Sequence, residues 1–304
     1  MQNCLFEIKK CFFVIKSYNL QNITLFIFCR LYFFSEYNVR VKFYGDFMMN
    51  NKNIDFNCDL AQSFGVYRNE NEYSLMKYVS SVNISCGFHA GDPLTIREAL
   101  LNAKEYNVSI GAHIGFDDIQ GFGLKNMDLK PEEIEALVVY QIGAIASFAK
   151  AYGLEIEYVR PHGAMYRRAA QDFEFSLAIA NAIKKFDKWL IYYGAASEVL
   201  ENVSKESDMR VAHEIQLNQI YNEDGSIDFD SKPVANIDFS INRLNNLLKY
   251  STVRNKEGRF TDVKYDTVHF SAKSENVLDV LQKANEIISP VPVNYKKVVV
   301  SGWV

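Results

Sequence analysis

Residues 82–113 read VNISCGFHAGDPLTIREALLNAKEYNVSIGAH. A short apolar run, Val82 to Cys86, gives way to two glycines flanking a histidine, then to a helical pattern from Pro93 to Tyr106, then to a second apolar run, Val108 to His113. Asp92 stands where a helix N-cap belongs, with a carboxylate able to accept from first-turn N–H groups. Pro93 suits the first helical position, where an N–H has no intrahelical partner. Strand, helix and strand in this order form a βαβ unit, and strands joined that way run parallel in an α/β fold.

The alternation continues in both directions. Further strands are expected at about Ile54 to Cys58, Ile156 to Arg160, Trp189 to Tyr193, Arg210 to Glu214 and Tyr265 to His269, seven in all. The clearest helix runs from Lys130 to Tyr152, with Pro131, Glu132 and Glu133 at the positive end and Gly153 to stop it. Seven parallel strands can close into a barrel or stay open as a doubly wound sheet, and periodicity does not separate the two. In both, functional groups collect at the carboxyl ends of the strands.

Composition narrows the function classes. The 304 residues are 48% hydrophobic and 23% charged, ordinary for a soluble globular chain. A net charge of −4 argues against a nucleic-acid binder, which needs clustered Lys and Arg. A small-molecule substrate fits better. Five cysteines (Cys4, Cys11, Cys29, Cys58 and Cys86) show neither CxxC nor zinc-finger spacing, so a reducing, cytoplasmic setting is expected. Residues 1–47 hold 13 of the 40 Phe and Tyr residues and carry +3, which leaves the remainder at −7. Their longest apolar run, Leu25 to Phe34, contains Arg30 and is too short to span a bilayer, so no membrane segment is expected. Met1 to Phe47 reads as an N-terminal extension ahead of Met48: an upstream stretch brought in by an early start, or a segment packing on the barrel or a partner. Residues 48–304 read as the functional domain.

Each histidine (His89, His113, His162, His213 and His269) falls at or just past an expected strand end. Convergence at one rim brings Asp59, His89, His113 and His162 together, a set able to move protons near neutral pH or to bind a divalent metal. For His213 and His269 the plainer expectation is a bond to backbone at a loop start. Gly87, Gly91, Gly121 and Gly123 suit tight turns or loops that approach a ligand, but neither GxxxxGK[ST] nor GxGxxG is present. Cys86, three residues before His89, reads as a buried and inert thiol rather than a nucleophile.

The strings NCDL, NISCGFHAGDP, IGAH, GFG and VRPHGAMY, met in this order between about Ile54 and Ile288, resemble the hallmarks of the LamB/YcsF family. The resemblance implies a seven-stranded β/α barrel of the glycoside hydrolase/deacetylase type. It also implies the A subunit of a 5-oxoprolinase, opening 5-oxoproline to L-glutamate with ATP and partner subunits B and C. Carried onto this chain, Asp59, His89, Asp92, His113 and His162 are the catalytic candidates, and Asn57, Asn83, Arg160, Glu214 and Tyr221 the substrate-binding ones. ATP is held here or by the partners. A metal-dependent deacetylase with Asp59, His89 and His113 as ligands is the runner-up, and a weakened scaffold protein is a third reading.

The chain departs from the family pattern at Ala61-Gln62, where Gly-Glu is usual, and at Leu124-Lys125, where two arginines follow GFG. Arg160 replaces a lysine, Asn218-Gln219 replace Asp-Arg, and Ser271 replaces an acid. Arg160 is expected to grip a substrate carboxylate in bidentate fashion. The competing expectation pairs it with Glu157 or Glu214.

Overall fold

A computed structural model describes residues 54–65 and 72–293. The expected N-terminal extension lies outside the described residues. Seven parallel strands close into a barrel: β1 (Asp55–Leu60), β2 (Ser81–Ser85), β3 (Ser109–Ile114), β4 (Tyr158–Pro161), β5 (Ile191–Ala195), β6 (Val211–Gln216) and, after an inserted hairpin, β9 (Thr267–Phe270), which pairs with both β6 and β1. All seven expected strands are present, each within about two residues of its expected start. The alternative of an open sheet is excluded by the β9–β1 register, in which Asn57 lies opposite His269.

Helices α1 (Pro93–Tyr106), α2 (Pro131–Ala151), α3 (Gly163–Gln171), α4 (Phe173–Phe186), α5 (Glu198–Ser207), α6 (Ile237–Tyr250) and α7 (Val277–Ile287) follow the strands. Asp92 caps α1 as expected, accepting from Leu94 N at 3.0 Å and Thr95 N at 2.8 Å. Gly153 ends α2 at φ +70°, with Leu154 N donating to Ala149 O. By length and composition α2 would suit a bilayer. Here its stripe of Ile134, Val138, Ile142, Ile145 and Ala149 is buried, and Gln141 bonds both the N–H and the C=O of Gly115 beyond β3.

The hairpin of β7 (Thr252–Arg254) and β8 (Phe260–Asp262) has no counterpart among the strands expected from the sequence. Its strands are three residues each and turn through Gly258 at φ +81°.

Every residue of β1 is buried, yet its side chains alternate in chemistry. Phe56, Cys58 and Leu60 join the large apolar core. Asp55, Asn57 and Asp59 point into the barrel, where each bonds to inward side chains of neighbouring strands. The interior is therefore layered and polar. Asp55 meets Ser81, Thr267 and Tyr193; Asn57 meets Asn83, Glu214 and His269; Asp59 tops the stack. Tyr158 and Tyr193 stack within it, ring centroids 4.0 Å apart. Gly111 on β3 makes room for Tyr158, since a Cβ there would lie 2.1 Å from the ring.

Candidate active site

Asp59 gathers the site. Its Oδ1 accepts from Asn83 Nδ2 at 2.9 Å and faces Arg160 Nη1 and His113 Nε2, each at 3.3 Å; its Oδ2 faces His269 Nε2 at 3.4 Å. Burial alone would raise the Asp59 carboxyl. His269, His113 and Arg160 outweigh it and hold the group well below the usual carboxylate range. Asp59 is thus a fixed negative charge and a weak base. The expectation that His269 serves only a loop start is corrected: barrel closure aims it inward, with Nδ1 donating to Asn57 Oδ1 at 2.9 Å.

Arg160 follows the competing expectation, a pair with Glu214, rather than the substrate grip. Its Nε and Nη2 reach the two oxygens of Glu214 at 2.7 and 2.8 Å, its Nη1 turns to Asp59 and Pro161 O, and it is only 4% exposed. The guanidinium's donor face is committed within the barrel, so a substrate carboxylate has no fork to meet. Glu214 is likewise no open binding group: it also accepts from Tyr166 OH and Asn57 Nδ2, and is fully buried. Tyr221 sits outside the cluster, its OH bonded to the backbone of Gln216 and its ring under Arg243. Asp92, expected among the catalytic residues, is engaged as the α1 cap and by Gly65 N at 3.0 Å. His213 points outward to Asp266 and Glu201. Cys86 is buried and its thiol is pushed up by that burial.

His89, His113 and His162 do converge beside Asp59. His162 stacks on His89 at 4.0 Å and 10°, and meets His113 edge-on at 4.8 Å and 83°. The GFG loop allows this packing: Gly123 takes φ +67°, and a Cβ there would lie 2.8 Å from His89 and 2.9 Å from His162. Burial is the first cause lowering all three imidazoles, His162 to about 4 and the others well below the ordinary value.

A ligand nitrogen of each of the three lies within 4.8 Å of the others, but they do not form one three-histidine metal site. A coordinated ion lies in the plane of each imidazole, and the near-parallel planes of His89 and His162 share no such point. His113 and His162 do fit. Each has one nitrogen against a backbone carbonyl, Arg160 O at 3.2 Å and Phe122 O at 2.8 Å, which assigns the N–H to that side. Their other nitrogens then face each other as lone pairs at 3.0 Å, and that of His113 also faces Asp59 Oδ1 at 3.3 Å, so His113 can lower the Asp59 carboxyl only with a cation on that nitrogen. Two facing lone pairs beside a carboxylate call for a cation between them, a proton or a metal ion. The stacking bars His89 and His162 from sharing an ion but leaves the expected set of Asp59, His89 and His113 open; the facing nitrogens of His113 and His162, with Asp59 the nearest carboxylate, make a second candidate set.

A cavity of about 250 Å³ opens at the same end of the barrel, lined by His269, Ser271, Lys273, Ser274, Asn218 and Asn236 among others. Two positions that depart from the family pattern, Asn218 and Ser271, face it. Sequence reading passes over Lys273 and Glu72. The Lys273 ammonium lies 3.1 Å from the Phe122 ring centroid, and Glu72 is buried, bonded to Gln62 N, with its carboxyl pushed up to about 7 mainly by burial. Ala61 occupies a left-handed conformation, φ +55°, where the family pattern has glycine.

The comparisons with known proteins agree with this architecture. The chain is 40% identical over 233 residues to the A subunit of 5-oxoprolinase from Bacillus subtilis (strain 168), covering 76% of this chain and 91% of that protein. It is 36% identical over 238 residues to the protein of the same name from Pyrococcus abyssi, covering 77% and 93%. The crystal structure of "Lactam Utilization Protein" from Thermus thermophilus superposes with a TM-score of 0.73 at 33% identity, covering 78% of this chain and 97% of that one. Residues 54–299 match the LamB/YcsF family, and the chain belongs to that family.

Proposed function

We propose that this chain is the A subunit of a 5-oxoprolinase, a cytoplasmic hydrolase opening the lactam of 5-oxoproline to L-glutamate with ATP and partner subunits B and C. The observation that carries the reading is Asp59, held ionised by His113, His269 and Arg160 beside a small cavity, in a chain 40% identical to proteins of that name. His269 lines the cavity where a water would attack the carbonyl carbon, with Asp59 behind it at 3.4 Å, while Asn57 and Asn83 fix their orientation. A carboxylate held so low is a poor base, and an unactivated lactam is a poor electrophile. The pair therefore suits a carbonyl activated at oxygen beforehand, the step for which ATP is spent. We assign the nucleotide to the partners, because the cavity is smaller than the usual range for larger ligands and the chain has no phosphate-binding glycine motif.

Glutamate release by the purified chain with its B and C partners and ATP tests this. Asp59→Asn is expected to lower the rate by about 10² to 10⁴. An unchanged rate in the mutant, or no glutamate from the wild-type assembly, would sink the proposal.

The facing nitrogens of His113 and His162 favour one second reading, a divalent-metal amide hydrolase. An ion held by His113, His162 and Asp59 would act there as a Lewis acid toward the carbonyl. Titration calorimetry with Zn²⁺ and Mn²⁺ separates the two: this reading requires binding that His162→Ala abolishes, and heat-silent titrations would exclude it.

A further inference from the structure

The cavity at the barrel mouth has two electrostatic ends. At one, His269 stands between the cavity and the Asp59 carboxylate, 3.4 Å from its Nε2. At the other, the loop 271–276 between β9 and α7 brings Lys273 into the lining. Lys273 and Glu275 are the Lys, Arg, Asp or Glu side chains of the lining, and both are exposed. No ion pair within the described residues takes up the Lys273 ammonium. Its close partner is the face of Phe122, whose carbonyl holds His162. A ring quadrupole attracts a cation without neutralising it, so the charge remains available to an incoming anion. The rest of that wall, Asn218, Asn236, Ser271, Ser274 and Asn276, consists of uncharged hydrogen-bonding groups.

A small anion entering this space is repelled by Asp59 on one side and by the exposed Glu275 on the loop and is attracted by Lys273, so its position is set by the Lys273 ammonium. The anionic end goes to the β9–α7 loop and the neutral end to His269. We infer that Lys273 is the specificity-determining cation of the site, selecting a small lactam that bears a carboxylate over a neutral lactam of the same ring. The role that sequence reasoning gives to Arg160, which is committed to Glu214, passes to this lysine. About 250 Å³ accommodates a single-ring molecule and falls below the usual range for drug-sized ligands. The inference rests on the lactam-hydrolase reading for the neutral end, and on the cavity and Lys273 alone for the anionic end.

Titration calorimetry of the full chain with three probes reads the two ends separately: 5-oxoproline, 2-pyrrolidinone (the lactam without the carboxylate) and cyclopentanecarboxylate (the carboxylate without the lactam). Wild type should bind 5-oxoproline at least tenfold tighter than 2-pyrrolidinone. Lys273→Gln should erase that ratio, Lys273→Arg should keep most of it, and 2-pyrrolidinone should bind all three proteins alike. Equal binding of the two lactams by wild type, or undiminished 5-oxoproline binding by Lys273→Gln, overturns the inference and leaves the lactam reading standing. Cyclopentanecarboxylate bound as tightly as 5-oxoproline, and lost with Lys273→Gln, supports the anion subsite and removes the lactam from the other end. Failure of both carboxylates to bind wild type overturns the inference.

Discussion

Glu214→Gln should be among the most destabilising conservative changes in the barrel. The substitution keeps the side chain's size and removes the charge facing Arg160 across bonds of 2.7 and 2.8 Å, with both groups shut away from water. Removing one partner of such a buried pair costs about 3 to 5 kcal/mol, since the remaining charge stays desolvated and unpaired. Asp59 Oδ1, 3.3 Å from Arg160 Nη1, offsets part of that loss, so the lower end, about 3 kcal/mol, is expected. A domain stable by roughly 5 to 15 kcal/mol would show this as a large shift in the urea midpoint at unchanged m-value. Arg160→Met should cost a similar amount through the orphaned Glu214. The double mutant Arg160→Met/Glu214→Leu should regain only part of the loss: apolar groups can replace a buried pair, but Tyr166 OH loses its acceptor and Asp59 its guanidinium. A coupling energy well above about 0.5 kcal/mol in the resulting cycle is the signature sought. The reasoning is refuted if Arg160→Met leaves the midpoint unmoved while weakening 5-oxoproline binding, for then the guanidinium faces ligand rather than Glu214.

Two further outcomes are expected, one from the structure and one from the composition of residues 1–47. Burial pushes the Asp55 carboxyl from 3.8 to about 6 despite hydroxyl bonds from Ser80, Thr267, Ser81 and Tyr193. The folded state therefore keeps a proton that the unfolded chain has lost, and stability falls as pH rises from about 4 to 6. Asp55→Asn should flatten that stretch of a midpoint-versus-pH curve by up to about 3 kcal/mol, leaving the contribution of Glu72, whose raised carboxyl acts in the same sense up to about 7; an unchanged slope would contradict it. A chain beginning at Met48 should express solubly and melt within a few degrees of the full-length protein, whereas aggregation would show that residues 1–47 cover an apolar surface.

Much of the framework is legible in the sequence because it is local. The seven strands, the Asp92 cap and the Gly153 stop each depend on residues within a few positions, and all are found. The misread residues depend on contacts remote in sequence. Arg160 and Glu214 lie 54 positions apart and meet only inside a closed barrel. His269 acquires a direction only through the pairing of β9 with β1, which places it opposite Asn57. The β7–β8 hairpin escapes because three-residue strands such as Thr252–Arg254 leave no period to detect. Lys273 and Glu72 sit outside the strands, where spacing carries no information about what they will face.

The most informative unused signal is the period of two in Asp55, Asn57 and Asp59. In an exposed sheet such alternation marks the wet face, but every residue of β1 is buried and the polar face is the barrel interior. That interior treats its two aspartates in opposite ways. Asp55 is surrounded by hydroxyls, which donate hydrogen bonds but bring no charge, and burial wins: its carboxyl rises to about 6. Asp59, four residues on, has the same burial to overcome and does so because His269, His113 and Arg160 surround it. Hydrogen bonds alone leave a buried carboxyl raised, while a neighbouring fixed cation such as Arg160 favours its ionised form. Asp59 therefore keeps its negative charge at a pH where Asp55 is protonated, and it does so beside the cavity that His269 lines. Asp59 repels an anionic substrate end, and the cation proposed to meet that end, Lys273, accordingly belongs to the 271–276 loop rather than to the strands.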